Sequence, residues 1–225
     1  MNDALRNSAA HVFVDSVSAP VLSSDDQHHL ERVLRLRDGE IVTCSDGKGT
    51  WAECRWVQQS LVIDGEVHSD EKPEPQLSMA ISPVKGDRTD LVIEKLVEIG
   101  VDRIVVLAPL DRSVVRWAPD KVSHVFDRYS RIIRAAAMQS RRVFLPELVG
   151  PARLSDVLDK GAVLAEPGGD ASVESFTTLV IGPEGGFSAE ERAMSAATFD
   201  LGPSILRAET AAMVGAARMV AHWRR

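Results

Sequence analysis

The sequence predicts a two-domain α/β protein, in which a small β-rich domain precedes a larger domain of alternating strands and helices. The chain has 225 residues, 44% of them hydrophobic and 26% charged, as is typical of a globular protein of one large or two small domains. A polar, proline-bearing stretch at residues 69–75 indicates the linker. After it, short apolar runs alternate with longer stretches of helical periodicity, which predicts a parallel sheet covered on both faces.

Residues 1–72 are predicted to form a small, turn-rich β-barrel with one helix. The helix follows the N-cap cluster Ser23–Asp26 and carries Leu30, Val33 and Leu34 at helical spacing. The predicted strands lie at residues 12–14, 40–44 and 51–57, with two further runs on either side of a turn at Asp64-Gly65.

Residues 73–225 are predicted to form the larger α/β domain. The predicted strands lie at residues 77–81, 103–107, 162–165, 178–181 and 198–201. The predicted helices lie at residues 87–99, 121–140 and 209–223, and Ser188 with Glu191 forms a capping box that opens one more. Gly100 stands where a glycine would end the first of these helices.

Composition excludes several classes of protein. No apolar run approaches the roughly 18–20 residues of a membrane span, and the N-terminus has no apolar signal region. The two cysteines, Cys44 and Cys54, lie ten residues apart without a metal-binding pattern. We therefore expect a cytoplasmic protein without membrane or metal partners.

The charge is unevenly distributed. The net charge is −7, yet residues 103–142 carry nine basic side chains against three acidic ones. Eight of the nine are arginines, which suit bidentate contacts with phosphate. This stretch is either a phosphate-binding face or, as the alternative, a solvated helix face or a salt-bridged dimer surface, and the pattern alone leaves both interpretations open.

Three predicted strands run directly into loops, at residues 162–169, 179–188 and 201–211. In a parallel sheet such loops gather at the carboxyl ends of the strands, where ligands bind, and glycine allows close approach of the backbone. The nucleotide motifs G-x-G-x-x-G and G-x-x-x-x-G-K-[ST] are absent. Glu184 would repel a phosphate but suits a sulfonium or ribose ligand. The alternative is that these glycines merely permit tight turns.

Several motifs resemble one family across nearly the whole chain. Ile181-Gly182-Pro183-Glu184-Gly185-Gly186 and the L-G-x-x-I-L-R-x-E-T segment at residues 201–210 are the most specific. Residues 94–101, the Gln139-Ser140 stretch and the region of His29 agree with them. Together they resemble the bacterial ribosomal RNA small-subunit methyltransferase E family, of the SPOUT class of knotted methyltransferases.

The resemblance implies transfer of a methyl group from S-adenosylmethionine to N3 of one uridine in 16S ribosomal RNA. It implies a PUA-like N-terminal domain, a deep trefoil knot within roughly residues 162–215, and a homodimer that acts on the assembled 30S subunit. The alternatives are another SPOUT reaction, on a ribose 2′-oxygen or a different base, and a non-catalytic RNA-binding assembly factor. A nucleotide-binding α/β enzyme is disfavoured because the phosphate motifs are missing.

The resemblance also assigns candidate site residues. The cofactor-binding set is Leu164, Glu166, Ile181, Gly182, Pro183, Glu184, Gly186, Leu201, Gly202, Ile205, Leu206 and Thr210. Arg207 is expected to stabilise the negative charge on uracil that has lost its N3 proton, unless it forms a salt bridge with Glu209 or Glu184. Glu209 would orient that arginine or favour the start of the last helix. The RNA-binding set is Arg32, Arg35, Arg37, Arg112, Arg116, Arg134, Arg141 and Arg142.

Overall fold

The computed structural model describes residues 2–224, which divide into two compact units. The first unit comprises the chain up to Pro73 together with Arg134–Leu145. The second comprises Glu74–Ile133 and the chain from Pro146 onward. The predicted division after residue 72 differs from these units in one respect, because it leaves residues 134–145 with the C-terminal part.

The first unit is small and mainly β. Its elements are α1 (Asp3–Asn7), β1 (Ala10–Phe13), α2 (Ser24–His28), a π-helical turn (His29–Val33), β2 (Ile41–Ser45), β3 (Thr50–Val57) and β4 (Ser60–Ser69). The strands form one sheet in the order β1-β2-β3-β4, in which β1 and β2 are parallel and the other pairs antiparallel. Ser23 caps α2 through its side chain, as the N-cap cluster predicts.

The predicted turn at Asp64-Gly65 is wrong, because β4 runs through it without interruption. The ladder between β3 and β4 shifts register at this point, and Gly65 has a positive φ of 129°. A glycine at positive φ can therefore make a β-bulge as well as a turn. The sequence signal is the same for both, and the pairing partner decides between them.

Residues 134–145 belong to the first unit because they make hydrogen bonds and apolar contacts with residues from the N-terminal part of the chain. Arg134 donates hydrogen bonds to the Phe13 carbonyl at 3.0 Å and to Asp26 at 2.6 Å. Val143 packs with Leu5 and Trp51 in a small apolar cluster. Sequence periodicity does not show these contacts, since the partners lie more than 90 residues apart.

The second unit is an α/β domain. Its strands are β5 (Ser78–Ile81), β6 (Arg103–Leu107), β7 (Glu147–Ala152), β8 (Val163–Ala165), β9 (Thr178–Ile181) and β10 (Thr198–Phe199). Its helices are α3 (Arg88–Ile99), α4 (Pro119–Gln139), α5 (Leu154–Leu158), α6 (Ala189–Ala193) and α7 (Ala208–Trp223), with one 3₁₀ turn (Val173–Ser175). All six strands are parallel, in the order β10-β8-β9-β5-β6-β7.

Most of the predicted elements of this unit are present, and β6 and β9 have the predicted bounds. Gly100 ends α3 with a φ of 112°, a conformation that glycine adopts without strain. Strand β7 was not predicted, because its Gly150-Pro151 pair is typical of a turn. The strand tolerates a proline because β7 lies at the edge of the sheet, where one side needs no partner.

Successive residues of the central strands point to opposite faces of the sheet. Ala80 and Val180 belong to an apolar cluster that includes Phe187 and residues of α5. Their neighbours Met79 and Leu179 face Gly215 of α7. The packing there is tight, because a Cβ added to Gly215 would lie 2.6 Å from Leu179 Cδ2. The parallel sheet thus buries both faces, as predicted. Gly215 of α7 packs against the six-stranded sheet of the same unit.

Candidate functional site

A cavity of about 670 Å³ lies within the second unit, at the carboxyl ends of adjacent strands β8, β9 and β10. Its lining comes from the loops after these strands, at residues 165–167, 181–187 and 200–207, and from the first turn of α7. Its volume lies in the range of small-molecule sites. The three loops that the sequence singles out therefore meet at one edge of the sheet.

The structure brings most of the predicted site residues together at this cavity. Those that line it are Glu166, Ile181, Gly182, Pro183, Glu184, Gly186, Leu201, Gly202, Ile205, Leu206, Arg207 and Glu209. Two predicted cofactor residues lie elsewhere. Leu164 is fully buried in the apolar cluster beneath the sheet, and Thr210 is exposed on α7 outside the cavity lining.

A further loop, which was not among the three predicted ones, also reaches the cavity. Arg88, the first residue of α3, enters from the connection after β5. The signal was present, since β5 also runs through a glycine-bearing loop, at Gly86, into a helix. What the sequence does not show is that β5 pairs directly with β9, which brings the two loops to the same edge.

Arg88 makes the salt bridges that the sequence analysis considered for Arg207. Its Nη2 lies 2.9 Å from Glu184 Oε1, and its Nη1 lies 3.4 Å from Glu209 Oε1. The alternative in which Arg207 pairs with either carboxylate is therefore wrong for this structure. The pairing falls to Arg88 because its side chain enters between the two loops that carry these glutamates.

The cavity contains four arginines and four carboxylates, and most of them are paired. Arg192 lies 3.2 Å from Glu166, and Arg112 donates to the Gly185 carbonyl at 3.1 Å. Asp200 accepts a hydrogen bond from the Gly202 amide. Within residues 2–224, the Arg207 guanidinium makes no hydrogen bond or ion pair, although its backbone provides the N-cap of α7. Arg207 is thus the cavity arginine that is available to a ligand.

Glu209 lies in the first turn of α7, and its pKa is lowered. The largest cause is the hydrogen bond from its own backbone N–H. Burial opposes this shift, and the Arg88 and Arg207 guanidinium groups support it. The second carboxylate oxygen, Oε2, is buried without a hydrogen-bond partner in the described part of the chain. Glu209 is therefore an ionised carboxylate that Arg88 contacts at the wall of the cavity.

The glycine-rich loop is held by its own packing. A Cβ on Gly182 would lie 2.9 Å from the ring of Phe187, which is buried. Glycine is therefore required at this position by the packing of the Phe187 ring, in addition to the predicted approach of a ligand. The predicted capping box is confirmed, with Ser188 and Glu191 bonded to each other's backbone N–H.

Glu191 has a second role that the sequence did not indicate. Its Oε1 accepts a hydrogen bond from the Asp111 amide at 2.8 Å, while Oε2 accepts from the Ser188 amide at 2.8 Å. One buried carboxylate therefore ties the loop after β6 to the end of the glycine-rich loop. The loop after β6 includes Arg112, which explains how that arginine reaches the cavity.

Several of the predicted RNA-binding arginines bond to other groups of the protein. Arg134 pairs with Asp26, Arg116 donates to the carbonyls of Leu110 and Asp111, and Arg112 lines the cavity. Arg141 donates to the Ser8 and Ala9 carbonyls, and burial lowers its pKa. At least five of the eight arginines thus bond to the protein itself, because Arg32 also forms an ion pair with Glu31.

Arg142 is half-buried beside the buried His11, whose Nε2 lies 3.1 Å from the Arg142 carbonyl. The remaining members lie on the first unit after α2. Arg32 is exposed beside Glu31 at the π-helical turn, Arg35 has a φ of 55°, and Arg37 is exposed. A π-helical turn is a frequent feature of functional sites.

The described residues show neither a metal cluster nor a membrane span. In residues 2–224, no group of three histidine, cysteine or acidic side chains could hold a metal ion. In the same range no helix is both long and apolar enough to cross a bilayer.

Two family models match the chain and define its class. An RNA methyltransferase domain matches residues 70–220, and an RNA methyltransferase PUA domain matches residues 22–55. Fold and site therefore define an RNA methyltransferase with a PUA-like N-terminal domain and an α/β methyltransferase domain. The predicted α/β fold with a PUA-like N-terminal domain is confirmed, and the trefoil knot stays a prediction.

Within this class the chain belongs to the ribosomal RNA small subunit methyltransferase E family. It is 29% identical over 226 residues to the family member of Mycobacterium bovis, covering 89% of this chain and 85% of that protein. It is 27% identical to the member of Bacillus subtilis, covering 84% of this chain and 85% of that protein.

Solved structures agree with this assignment. A methyltransferase of Legionella pneumophila in complex with the cofactor S-adenosylmethionine superimposes with a TM-score of 0.79 at 25% identity, over 94% of this chain and 97% of that one. The ribosomal RNA small subunit methyltransferase E of Neisseria gonorrhoeae, bound to S-adenosylmethionine, gives a TM-score of 0.75 at 25% identity, over 95% and 98%.

Proposed function

We propose that this protein transfers the methyl group of S-adenosylmethionine to N3 of a specific uridine in 16S ribosomal RNA. One observation carries the proposal. In a chain of this family, the loops after β8, β9 and β10 enclose a cavity in which Arg207 is left without a protein partner. The methyl acceptor, the ribosomal RNA, is proposed from the names of the relatives.

The residues present fit the cofactor. The carboxylates that line the cavity are matched in number by its arginines. The two glycine-bearing loops offer backbone carbonyls to the hydroxyl and amino donors of the cofactor. Arg88 is already occupied by two carboxylates, which leaves it less suited to binding a phosphate. The loops at residues 181–187 and 200–207 would hold the adenosine.

Each side chain has a distinct task in the proposed reaction. When bound, the cofactor supplies an electrophilic methyl group on a sulfonium. Uracil N3 would give up its proton to solvent before or during the transfer, and the resulting negative charge would be shared with the neighbouring carbonyl oxygens. That charge would be neutralised as the N3–carbon bond forms and the sulfur–carbon bond breaks. Arg207 provides a fixed positive charge for those oxygens. Glu209 lies two residues further along the chain and keeps Arg207 oriented by its charge.

The proposal includes the finer features that the resemblance implies. These are a homodimer, a deep trefoil knot within roughly residues 162–215, a cytoplasmic location, and the assembled 30S subunit as substrate. The domain division into residues 1–72 and 73–225 is part of the same proposal. Arg32, Arg35 and Arg37, on the PUA-like part of the chain, are proposed to contact the RNA.

The experiment that tests the function is methyl transfer from labelled S-adenosylmethionine to 30S subunits isolated from cells that lack this protein. The modified nucleoside is then identified by chromatography and mass spectrometry. We expect N3-methyluridine at a single position. Free 16S RNA is assayed in parallel, because a much slower transfer to it would support the assembled subunit as the substrate.

Other results would favour the alternatives. A methylated ribose or another methylated base would keep the cofactor and overturn the N3-uridine assignment. Absence of both transfer and cofactor binding by calorimetry would indicate a non-catalytic assembly factor.

A further inference from the structure

One arginine contacts two loops that belong to different strands. Arg88 begins α3, Glu184 lies in the loop after β9, and Glu209 lies in the first turn of α7, after the loop that follows β10. The two contacts use different terminal nitrogens of the guanidinium, at 2.9 Å from Glu184 and 3.4 Å from Glu209. Arg88 is therefore the side chain through which both loops are joined to α3.

The two carboxylates are less exposed than the arginine that contacts them, whose side chain is 37% exposed. The Glu209 side chain is 13% exposed and that of Glu184 is 29% exposed. Two partly buried carboxylates at one cavity repel each other unless a cation lies between them. The planar guanidinium can donate in two directions at once, whereas a lysine offers one nitrogen.

We propose that Arg88 is a positioning residue, which fixes Glu184 and Glu209, and with them the two cofactor-binding loops, before the cofactor arrives. This inference rests on the proposed function, since it concerns the same cavity. Preorganised loops bind a ligand more tightly because less order must be gained on binding. Removal of Arg88 should therefore loosen both loops together and weaken binding of any ligand that both loops contact.

The first test uses the free protein and needs no activity. Hydrogen exchange is followed at the amides of Gly186 and Gly202, which donate to Pro183 and Asp200 within the two loops. We expect Arg88→Ala to accelerate exchange at both amides at least tenfold. The matched control is Lys95→Ala, which removes a residue of α3 that also bridges two carboxylates, Glu94 and Glu98, but outside the cavity. The control should change neither amide.

The second test measures binding of S-adenosylmethionine and of S-adenosylhomocysteine, which lacks the sulfonium charge. If Arg88 acts by holding the loops, Arg88→Ala weakens both ligands by a similar factor, about tenfold. Arg88→Lys keeps the charge but replaces two terminal nitrogens, 2.9 Å and 3.4 Å from their carboxylates, by a single one, and should recover only part of the affinity. In a Glu184→Gln, Glu209→Gln background, the further change Arg88→Ala should cost little, since its partners are already altered.

The third readout separates positioning from folding. At saturating S-adenosylmethionine and 30S subunits, the single-turnover rate of Arg88→Ala should fall at least fivefold, while its affinity for 30S subunits and its melting temperature stay near those of Lys95→Ala. We expect the rate to fall along with the cofactor affinity, because loss of Arg88 frees Glu209, and Glu209 is proposed to orient Arg207.

Three results would overturn the inference. One is unchanged exchange at Gly186 and Gly202 in Arg88→Ala. Another is full recovery of affinity in Arg88→Lys, which would show that charge alone suffices. The third is a full additional loss in the double-glutamine background. If the wild-type protein binds neither ligand while Arg88→Ala still loosens both loops, the positioning role stands and the proposed function fails.

Discussion

At the scale of single residues, the arginines of the cavity fall into two groups: those that bond to other protein groups and one that does not. Arg88, Arg112 and Arg192 are bonded to groups of the cavity loops, and each holds a loop in place. Arg207 has no such partner in the described residues. Its side chain is exposed at the cavity, so its charge is solvated and available to a ligand.

Replacing Arg207 by alanine should affect the chemical step more than cofactor binding. We expect the single-turnover rate to fall by roughly a hundredfold, the effect of removing one group that stabilises developing negative charge. The dissociation constant of S-adenosylmethionine should change by less than about threefold. Rapid-quench assays and calorimetry measure the two quantities. Arg153→Ala, at an exposed site outside the cavity, is the control. A rate loss fully explained by weaker cofactor binding would contradict the role.

His11 makes the stability of the protein depend on pH. Burial lowers its pKa from 6.5 to about 4, and its ring is bonded to Thr43 and to the Arg142 carbonyl. The unfolded chain therefore takes up a proton as the pH falls below 6.5, whereas the folded chain does not until about pH 4. This residue alone should lower the free energy of unfolding by about 2 kcal/mol between pH 8 and pH 5.

The measurement is urea denaturation of the wild type and of His11→Gln at both pH values. The variant should be less stable at pH 8 and should lack this part of the pH dependence. His28→Gln removes an exposed histidine of α2 and should keep the wild-type dependence. Equal pH dependence in wild type and His11→Gln would show that His11 is not the responsible group.

At the scale of elements, the site depends on connections between neighbouring loops as well as on the strands. Strand β9 and helix α6 enclose the glycine-rich loop, and the capping box ends it. Glu191 extends this cap to the Asp111 amide of the loop after β6. Glu191 thus makes both a local capping bond and a long-range hydrogen bond. Its contribution to stability should therefore exceed that of a helix cap alone.

Glu191→Ala should therefore destabilise the protein more than an ordinary loss of a helix cap. The change leaves the Ser188 and Asp111 amides without their charged acceptor, and we expect a loss of about 2–3 kcal/mol in the free energy of unfolding. Ser188→Ala should cost about 1 kcal/mol. Glu190→Ala removes an exposed neighbouring carboxylate and should stay near the wild type. Chemical denaturation measures all three, and equal losses in the two glutamate variants would refute this account.

At the scale of the whole molecule, the distribution of charge decides how an acidic protein could bind RNA. The net charge is −7, and several arginines of the basic stretch bond to the protein itself. Attraction by overall charge is thus not available. Under the proposed function, RNA binding relies on a few exposed arginines, such as Arg32 and Arg37.

The variant Arg32→Gln with Arg37→Gln should weaken binding to 30S subunits and leave cofactor binding unchanged. If each arginine contacts one phosphate, the slope of log affinity against log salt should fall by about two. Filter binding at several salt concentrations measures the slope, with Arg153→Gln as the control on the second unit. An unchanged slope would place the RNA contacts elsewhere.

The sequence by itself determined the alternation of elements and the motifs. Strands such as β6 and β9, the Gly100 helix end and the Ser188–Glu191 cap follow from local periodicity and backbone chemistry, which adjacent residues encode. For the same reason the cavity loops could be singled out, since each follows its strand directly in the chain.

Only the tertiary structure decided what depends on strand order and distant partners. The pairing of β5 with β9 brings Arg88 between Glu184 and Glu209, and the edge position of β7 permits a Gly-Pro pair in a strand. The ladder with β3 turns an apparent turn at Gly65 into a bulge. These outcomes result from contacts between residues far apart in the chain, which no local pattern encodes.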